Sequence, residues 1–283
     1  MEFKKRLSEL QIKVEKYLST YLAELKTADK APGLHELIET ICYSLDGGAR
    51  IRPMLSLLTA ETLNRPEVDV LGFGCAIELI HSYSLIHDDL PCMDDDDFRR
   101  GRPSSHKAYG EALAVLAGDA MSTEAFLLLS KKYSAQPSLA LALITDLARA
   151  SGLHGMVGGQ AADLLLRNKR PDVGELEFLH RRKTGALLKS SVLGAAKICE
   201  ASADETKALE KYAEALGLTF QIADDIADSD TNQDEASFVK TVGIEDAKLT
   251  CKKLISDATE ALAPFGDKAD GLRQLISYVF ERT

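Results

Sequence analysis

The sequence lacks paired cysteines and long apolar runs. Its five cysteines, Cys42, Cys75, Cys92, Cys199 and Cys251, are scattered and form no C-x-x-C pair. This argues against a disulfide framework or a structural zinc site and favours a reducing, cytoplasmic compartment. Because no stretch approaches about 20 uninterrupted apolar residues, we expect no membrane span. Residues 1–25 have basic side chains without an apolar run after them, which predicts an amphipathic helix rather than a signal peptide.

Basic residues are also fewer than acidic residues. The chain has 34 Lys and Arg against 44 Asp and Glu, a formal net charge of −10 at pH 7. Nucleic-acid binding depends largely on Lys and Arg that neutralise phosphates, so this balance disfavours nucleic acid as a partner. A small phosphorylated ligand is not excluded, because local charge can oppose the global balance.

Apolar residues recur with a helical period. In residues 205–228, Leu209, Tyr212, Leu216, Phe220 and Ala223 follow one another at spacings of three and four. Alternating strands and a βαβ pattern with a Gly-rich turn are both missing. The predicted breaks lie at Pro32–Gly33, Gly47–Gly48, Pro66, Pro91, Gly101–Pro103, Pro137, Gly158–Gly159, Pro171 and Pro264–Gly266. Since no linker or composition shift marks a boundary, the sequence predicts one all-α domain over residues 1–283.

Two acidic clusters end otherwise apolar helices. HDDLPCMDDDDFRRGRPSSH occupies residues 87–106, and DDIAD occupies residues 224–228. Asp224 and Asp228 share one helical face. After Asp88 and Asp89, Pro91 breaks the helix, so the chain could bring Asp94 back towards the pair. A run of Asp is often only a solvated turn, but its recurrence in this context favours a functional site.

Clustered carboxylates without His or Cys ligands suit a hard divalent cation. Mg²⁺ prefers oxygen ligands, keeps several waters and often takes further ligands from phosphates, and Mn²⁺ is an alternative ion. Arg99 and Arg100 follow the first acidic run after a single residue, Phe98. Guanidinium groups bind phosphate oxygens in a bidentate manner, so the pattern predicts a metal and phosphate site.

Both clusters resemble the aspartate-rich motifs of the trans-isoprenyl diphosphate synthases, the polyprenyl synthetase family. Three more segments resemble family motifs and come in family order. They are GGARIRP (47–53), GMVGGQAADL (155–164) and RRKTGALL (181–188), while FQIADDIAD (220–228) extends the second aspartate motif. The resemblance covers residues 47–228 and implies an all-α helical bundle of the isoprenoid synthase type with a central cavity.

The resemblance implies an enzyme that joins isopentenyl diphosphate to an allylic diphosphate after the allylic C–O bond ionises. By analogy with the family, Asp88, Asp89 and Asp94, facing Asp224, Asp225 and Asp228, would hold Mg²⁺ on the allylic diphosphate. Arg99 and Lys183 would bind its oxygens, and Arg52, His81 and Arg100 would bind isopentenyl diphosphate. Thr184 and Gln221, with the Lys183 carbonyl, would face the cation. The family is usually homodimeric, and we expect the same here.

Product length depends, in the family, on residues just before the first Asp pair. Tyr83 and Ser84 precede Asp88 by five and four residues. A bulky Tyr83 favours early termination, as in bacterial farnesyl (C15) synthases, although a core aromatic residue is the alternative. The segment DDLPCMD also resembles the corresponding segment of plant-type geranylgeranyl (C20) synthases.

Three alternatives to a farnesyl synthase remain open: a C10 or C20 synthase, a weakly active partner subunit of another synthase, and a terpene cyclase. The basic motifs and the complete second DDxxD argue for condensation over cyclisation.

Two positions depart from the family pattern. Ala49 replaces a Lys that binds isopentenyl diphosphate, and loss of one charge-assisted contact costs about 1.5–3 kcal/mol, or roughly ten- to a hundredfold in affinity. Residues 229–243 are short and divergent. In the closest register, Glu235 and Phe238 stand where the family has Lys and Tyr, and Lys240 is a potential substitute.

Overall fold

The computed structural model describes residues 2–28, 31–166, 169, 171–229 and 237–281, and these residues are almost entirely helical. The all-α prediction is therefore confirmed. The α-helices are α1 (Glu2–Ala28), α2 (Leu34–Leu45), α3 (Ile51–Thr62), α4 (Glu67–Asp88), α5 (Ser105–Tyr109), α6 (Glu111–Lys132), α7 (Pro137–Ser151), α8 (Met156–Leu166), α9 (Val173–His180), α10 (Ala186–Ile198), α11 (Ala203–Ala227), α12 (Phe238–Val242), α13 (Ile244–Ala261) and α14 (Asp270–Phe280). Arg181–Gly185 form a π-helical turn, and Ala263–Ala269 form a 3₁₀ turn.

The chain divides into two compact units. The first comprises Met1–Met54 and Leu71–Leu141, and the second comprises Leu55–Val70 and Ala142–Thr283. The boundaries fall inside α3, α4 and α7. A single domain with a central cavity stays a prediction.

In the first unit, α2 packs against both α1 and α6. The first unit also contains a short hairpin, in which β1 (Phe98–Arg99) pairs antiparallel with β2 (Arg102–Pro103). Its two central residues, Arg100 and Gly101, have φ values of 54° and 73°. Positive φ at both central positions is the geometry of a type I′ turn, which matches the twist of the flanking strands. The hairpin thus fixes the backbone of the RRGR segment.

In the second unit, α10 and α13 both pack against α11. This helix starts with a capping box, because the Ser202 amide donates to Glu205 Oε2 at 2.8 Å and the Glu205 amide donates to Ser202 Oγ at 3.3 Å. Four of the five periodic residues named above are buried, and Phe220 is half-buried. The Tyr212 hydroxyl donates to the Leu272 carbonyl at 2.8 Å and so connects α11 to α14.

The predicted break at Gly158–Gly159 is wrong, because α8 continues through both glycines. A Cβ on Gly159 would lie 2.4 Å from the Lys183 nitrogen and 2.7 Å from its Cα. Gly159 is therefore needed for the close approach of α8 to the π-helical turn, where any side chain would meet backbone. Close packing, and not a break in the helix, accounts for this glycine.

Two described helices, α4 and α6, are long and apolar enough to cross a membrane by length and composition. They were not expected, because no stretch of the sequence approaches about 20 uninterrupted apolar residues. In α4, 67% of the most apolar window is buried inside the protein, as in the core helix of a globular fold, whereas in α6 the share is 39%. Core helices commonly pass the same test, so these two helices are weak evidence for a membrane span.

Candidate active site

The first acidic motif folds back on itself after α4. The helix ends at Asp88, and the Asp94 amide then donates to the Asp88 carbonyl at 2.9 Å. Asp88 is half-buried and Asp94 is exposed. The predicted return of Asp94 to the pair is therefore confirmed, and Pro91, which cannot donate a backbone hydrogen bond, stands in the reversal.

Asp89 is turned into the protein, with 2% of its surface exposed. Its Oδ1 accepts from Arg99 Nε at 2.8 Å and also from Arg99 Nη2. Burial raises the pKa of Asp89, although the Arg99 guanidinium acts in the opposite direction. Arg99 also donates to Asp96 Oδ2 at 3.1 Å. Asp89 is thus an internal anchor for Arg99, and 35% of the Arg99 side chain remains exposed.

Arg100 is held by the carboxyl end of α2. Its Nη1 donates to the carbonyls of Ser44, Leu45 and Asp46 at 3.2, 3.4 and 2.9 Å. The last carbonyls of a helix have no partner within it and carry its negative dipole end, so a guanidinium is favoured there. These bonds fix one edge of Arg100, whose backbone φ is 54°.

His81 lies among guanidinium groups of the first unit. Burial lowers the pKa of His81 well below its usual value, and the nearby charges of Arg52 and Arg100 lower it further. The imidazole is therefore neutral at neutral pH. The structure thus brings together the three residues predicted to bind isopentenyl diphosphate, Arg52, His81 and Arg100.

Arg50, two residues before Arg52, has a different environment. It is 2% exposed, and it donates to Glu15 Oε1 at 2.7 Å and to Glu78 Oε1 at 2.9 Å. A buried guanidinium with two carboxylate partners is a structural ion pair. Ala49 beside it is exposed.

The predicted chain-length residues, Tyr83 and Ser84, are both half-buried on α4. Burial raises the pKa of Tyr83, and the nearby Asp88 carboxylate raises it further. Ser84 Oγ donates to the His81 carbonyl at 2.8 Å, a bond within the helix. Tyr83 therefore lies near the first acidic motif, while Ser84 is turned towards its own backbone.

In the second unit, Lys183 and Thr184 lie in the π-helical turn Arg181–Gly185. π-helical turns are rare in proteins, and those that do occur are often found at functional sites. Lys183 Nζ forms an ion pair with Asp163, and 32% of the Lys183 side chain is exposed. Thr184 Oγ1 donates to Gln221 Oε1 at 3.0 Å, so two residues predicted to face the cation are in contact.

The second acidic motif, like the first, combines exposed aspartates with a buried one. Asp224 and Asp228 are exposed, whereas Asp225 is only 8% exposed. Asp225 Oδ2 accepts from the Phe238 amide at 2.7 Å, and its Oδ1 accepts from Gln221 Nε2 at 3.4 Å. Asp225 therefore fastens the start of α12 to the end of α11.

Sequence reasoning missed three polar residues of the second unit. The side-chain Nε2 and Oε1 atoms of Gln160 are buried and have no hydrogen-bond partner among the described residues. The two ring nitrogens of His180 are likewise buried and without such a partner among those residues. Buried polar groups are normally paired, so these two residues are exceptions, and the Asp225 Oδ2 atom lies 4.0 Å from His180 Nε2, beyond hydrogen-bond distance. Asp163, the partner of Lys183, is the third. The family-like segment GMVGGQAADL contains Gln160 and Asp163 and was the available signal.

Within the part of the chain that the structure describes, no three or more His, Cys, Asp or Glu side chains form a ready metal site. Mg²⁺ is usually held by one or two protein carboxylates, with waters and substrate phosphates as the other ligands. The carboxylates of half-buried Asp88 and of exposed Asp94, Asp224 and Asp228 fit this ion as hard oxygen donors. Asp89 and Asp225 are engaged inside the protein.

The divergent segment after α11 is described only in part. Glu235 lies outside the described residues. Phe238 is buried and its amide binds Asp225, while Lys240 is exposed.

The comparisons with known proteins agree on one family. A family model described as Polyprenyl synthetase matches residues 34–260. The farnesyl diphosphate synthase of Geobacillus stearothermophilus is 44% identical over 265 residues, which cover 89% of each chain. Geranylgeranyl pyrophosphate synthase 7, chloroplastic, of Arabidopsis thaliana is 39% identical over 90% of this chain and 79% of its own. A solved geranyltransferase from Legionella pneumophila matches with a TM-score of 0.92 and 32% identity, over 100% of this chain and 98% of its own.

Protonation of His180 should destabilise the fold in acid. Its pKa is lowered from 6.5 to about 4, mainly by burial. The unfolded chain therefore takes up a proton first as the pH falls, and folding stability is lost between these two values, by up to roughly 3 kcal/mol. Urea unfolding at pH 7 and at pH 4.5 measures this. Wild type should lose more unfolding free energy than His180→Gln, and equal losses would contradict the assignment.

Proposed function

The chain belongs to the polyprenyl synthetase family, and we propose that this trans-prenyltransferase makes farnesyl diphosphate from isopentenyl diphosphate and dimethylallyl or geranyl diphosphate. The observation that carries the proposal is the match to a bacterial farnesyl diphosphate synthase over most of both chains. The first acidic cluster supports it, since its carboxylates lie beside the Arg99 guanidinium.

The proposed reaction is an ionisation followed by a condensation. The allylic C–O bond breaks and releases diphosphate, which leaves an allylic cation. The double bond of isopentenyl diphosphate then attacks C1 of the cation and forms the new C–C bond. Loss of a proton restores a double bond, and the released diphosphate is the proposed acceptor, because neither cluster has an obvious side-chain base.

The proposed ligands of Mg²⁺ or Mn²⁺ are Asp88, Asp94, Asp224 and Asp228. When bound, such an ion neutralises charge on a leaving diphosphate. Asp89 and Asp225 were also expected as ligands, and in this proposal their main role is to hold neighbouring groups in place. Asp89 orients Arg99, and Asp225 fastens the end of α11 through the Phe238 amide.

Cationic and polar side chains bind the two diphosphates in this proposal. Arg99 and Lys183 are the cations proposed for the allylic diphosphate, since cations near a leaving group stabilise its developing charge. Arg52, neutral His81 and Arg100 bind isopentenyl diphosphate in the first unit. Because Ala49 supplies no cation, we expect a higher KM for isopentenyl diphosphate than a lysine at this position would give.

Oxygen atoms near the π-helical turn stabilise the allylic cation. Thr184 donates its hydroxyl proton to Gln221, so the lone pairs of the hydroxyl remain available to a positive centre. Gln221 donates in turn to Asp225, which fixes the orientation of its amide. The Lys183 carbonyl is the third proposed oxygen.

An extension assay tests the proposed function. Purified protein with Mg²⁺, labelled isopentenyl diphosphate and dimethylallyl, geranyl or farnesyl diphosphate should extend the first two primers and stop at C15. Tyr83→Ala should lengthen the product, because it removes the bulky side chain before the first Asp pair.

No extension with any primer would contradict an enzyme that acts alone and would favour the partner-subunit alternative. A C20 product from wild type would contradict the farnesyl assignment and favour the geranylgeranyl alternative, to which the similarity with the Arabidopsis thaliana protein points.

We further propose a cytoplasmic homodimer. All five cysteines are free, as a reducing compartment requires. On α6, the apolar side chains of Val115, Leu116 and Leu127 are exposed by 39%, 52% and 42%. Burial of such a face between two copies would stabilise the dimer. Sedimentation velocity should give twice the 30.8 kDa chain mass, and a monomer at micromolar concentration would contradict the proposal.

A further inference from the structure

The His87 imidazole packs into a notch on α6 in the first unit. His87 is the residue before the first aspartate, and its Nε2 donates to the Val115 carbonyl at 3.0 Å. Asp119 Oδ1 is 4.0 Å from the same nitrogen, beyond hydrogen-bond distance. The backbone carbonyl, and not the carboxylate, therefore orients the ring.

The notch exists because residue 118 is glycine. A Cβ at Gly118 would lie 2.1 Å from His87 Nε2 and 2.5 Å from Cδ2, and its three nearest atoms all belong to the imidazole. Gly118 has an ordinary helical backbone, so turn geometry does not require it. A methyl group there would displace the ring and leave the α6 backbone in place.

Tyr83 lies one turn before His87 on the same face of α4. The two rings meet edge to face, with centroids 5.7 Å apart and an interplanar angle of 71°. This arrangement is favourable for aromatic pairs and restricts the tyrosine rotamer. The chain of contacts therefore runs from Gly118 through His87 to Tyr83.

We propose that His87 is a positioning residue for product length, and that Gly118 provides its seat. The inference rests on the proposed function, in which Tyr83 stops elongation. A tyrosine stops a growing prenyl chain only while its ring stays in place, and the His87 ring, held by Val115, prevents Tyr83 from swinging aside. His87 acts through Tyr83 and needs no contact with the prenyl chain.

The test compares product lengths of five variants and wild type, each with Mg²⁺, labelled isopentenyl diphosphate and geranyl diphosphate. The variants are His87→Ala, Gly118→Ala, Tyr83→Ala, the double variant His87→Ala/Tyr83→Ala, and Asp119→Asn. The readout is the C20 to C15 ratio at matched consumption of geranyl diphosphate, so that a general loss of activity is not mistaken for a change in product length. Asp119→Asn is the matched control, because it changes the same turn of α6 but leaves intact Gly118 and the Val115 carbonyl, which hold the His87 ring.

We expect His87→Ala and Gly118→Ala to raise the C20 to C15 ratio several-fold, and Asp119→Asn to leave it at the wild-type value. The double variant should match Tyr83→Ala, because His87 acts only through that ring. An unchanged ratio in His87→Ala, or a double variant with longer products than Tyr83→Ala, would overturn the inference. A wild type that makes no C15 with any primer would instead show that the proposed function is wrong.

Discussion

The buried second carboxylate of each aspartate pair is the constraint on which both acidic clusters depend. Neighbouring carboxylates repel one another, and a pair of them at a helix end needs compensation. Asp89 obtains it from Arg99, and Asp225 obtains it from the Phe238 amide and Gln221. Each anchor holds the helix end from which its neighbour, Asp88 or Asp224, projects.

The cationic side chains are positioned by equally specific contacts. In the first unit, the carbonyls that end α2 hold Arg100, and the hairpin that carries Arg99 and Arg100 turns at positive φ. In the second unit, Gly159 lets α8 approach the π-helical turn, where Asp163 pairs with Lys183. Fixed groups need little reorganisation when charge develops on a substrate, which is the main source of electrostatic catalysis.

The fold class, the major breaks and the return of Asp94 were predictable, because periodicity, proline and helix-end geometry are local properties. The burial of the second aspartate in each DD pair was not, since Asp225 is bound by the amide that starts α12, which follows it in the chain. Gly159 was misassigned for the same reason: its partner, Lys183, is distant in sequence. The unpaired atoms of Gln160 and His180 emerge only from packing, although the family-like segment around Gln160 pointed to that region.

Adjacent alanine substitutions at Asp224 and Asp225 test the division of roles most directly. Activity is measured against Mg²⁺ concentration, and stability by urea unfolding. Asp224→Ala should raise the Mg²⁺ concentration needed for half-maximal activity, and it should cost less unfolding free energy than Asp225→Ala because Asp224 is exposed. Asp225→Ala should leave the buried Phe238 amide unpaired and cost about 1–3 kcal/mol of unfolding free energy, with little change in Mg²⁺ requirement. If Asp225→Ala raised the Mg²⁺ requirement as much as Asp224→Ala and kept full stability, the account would be contradicted.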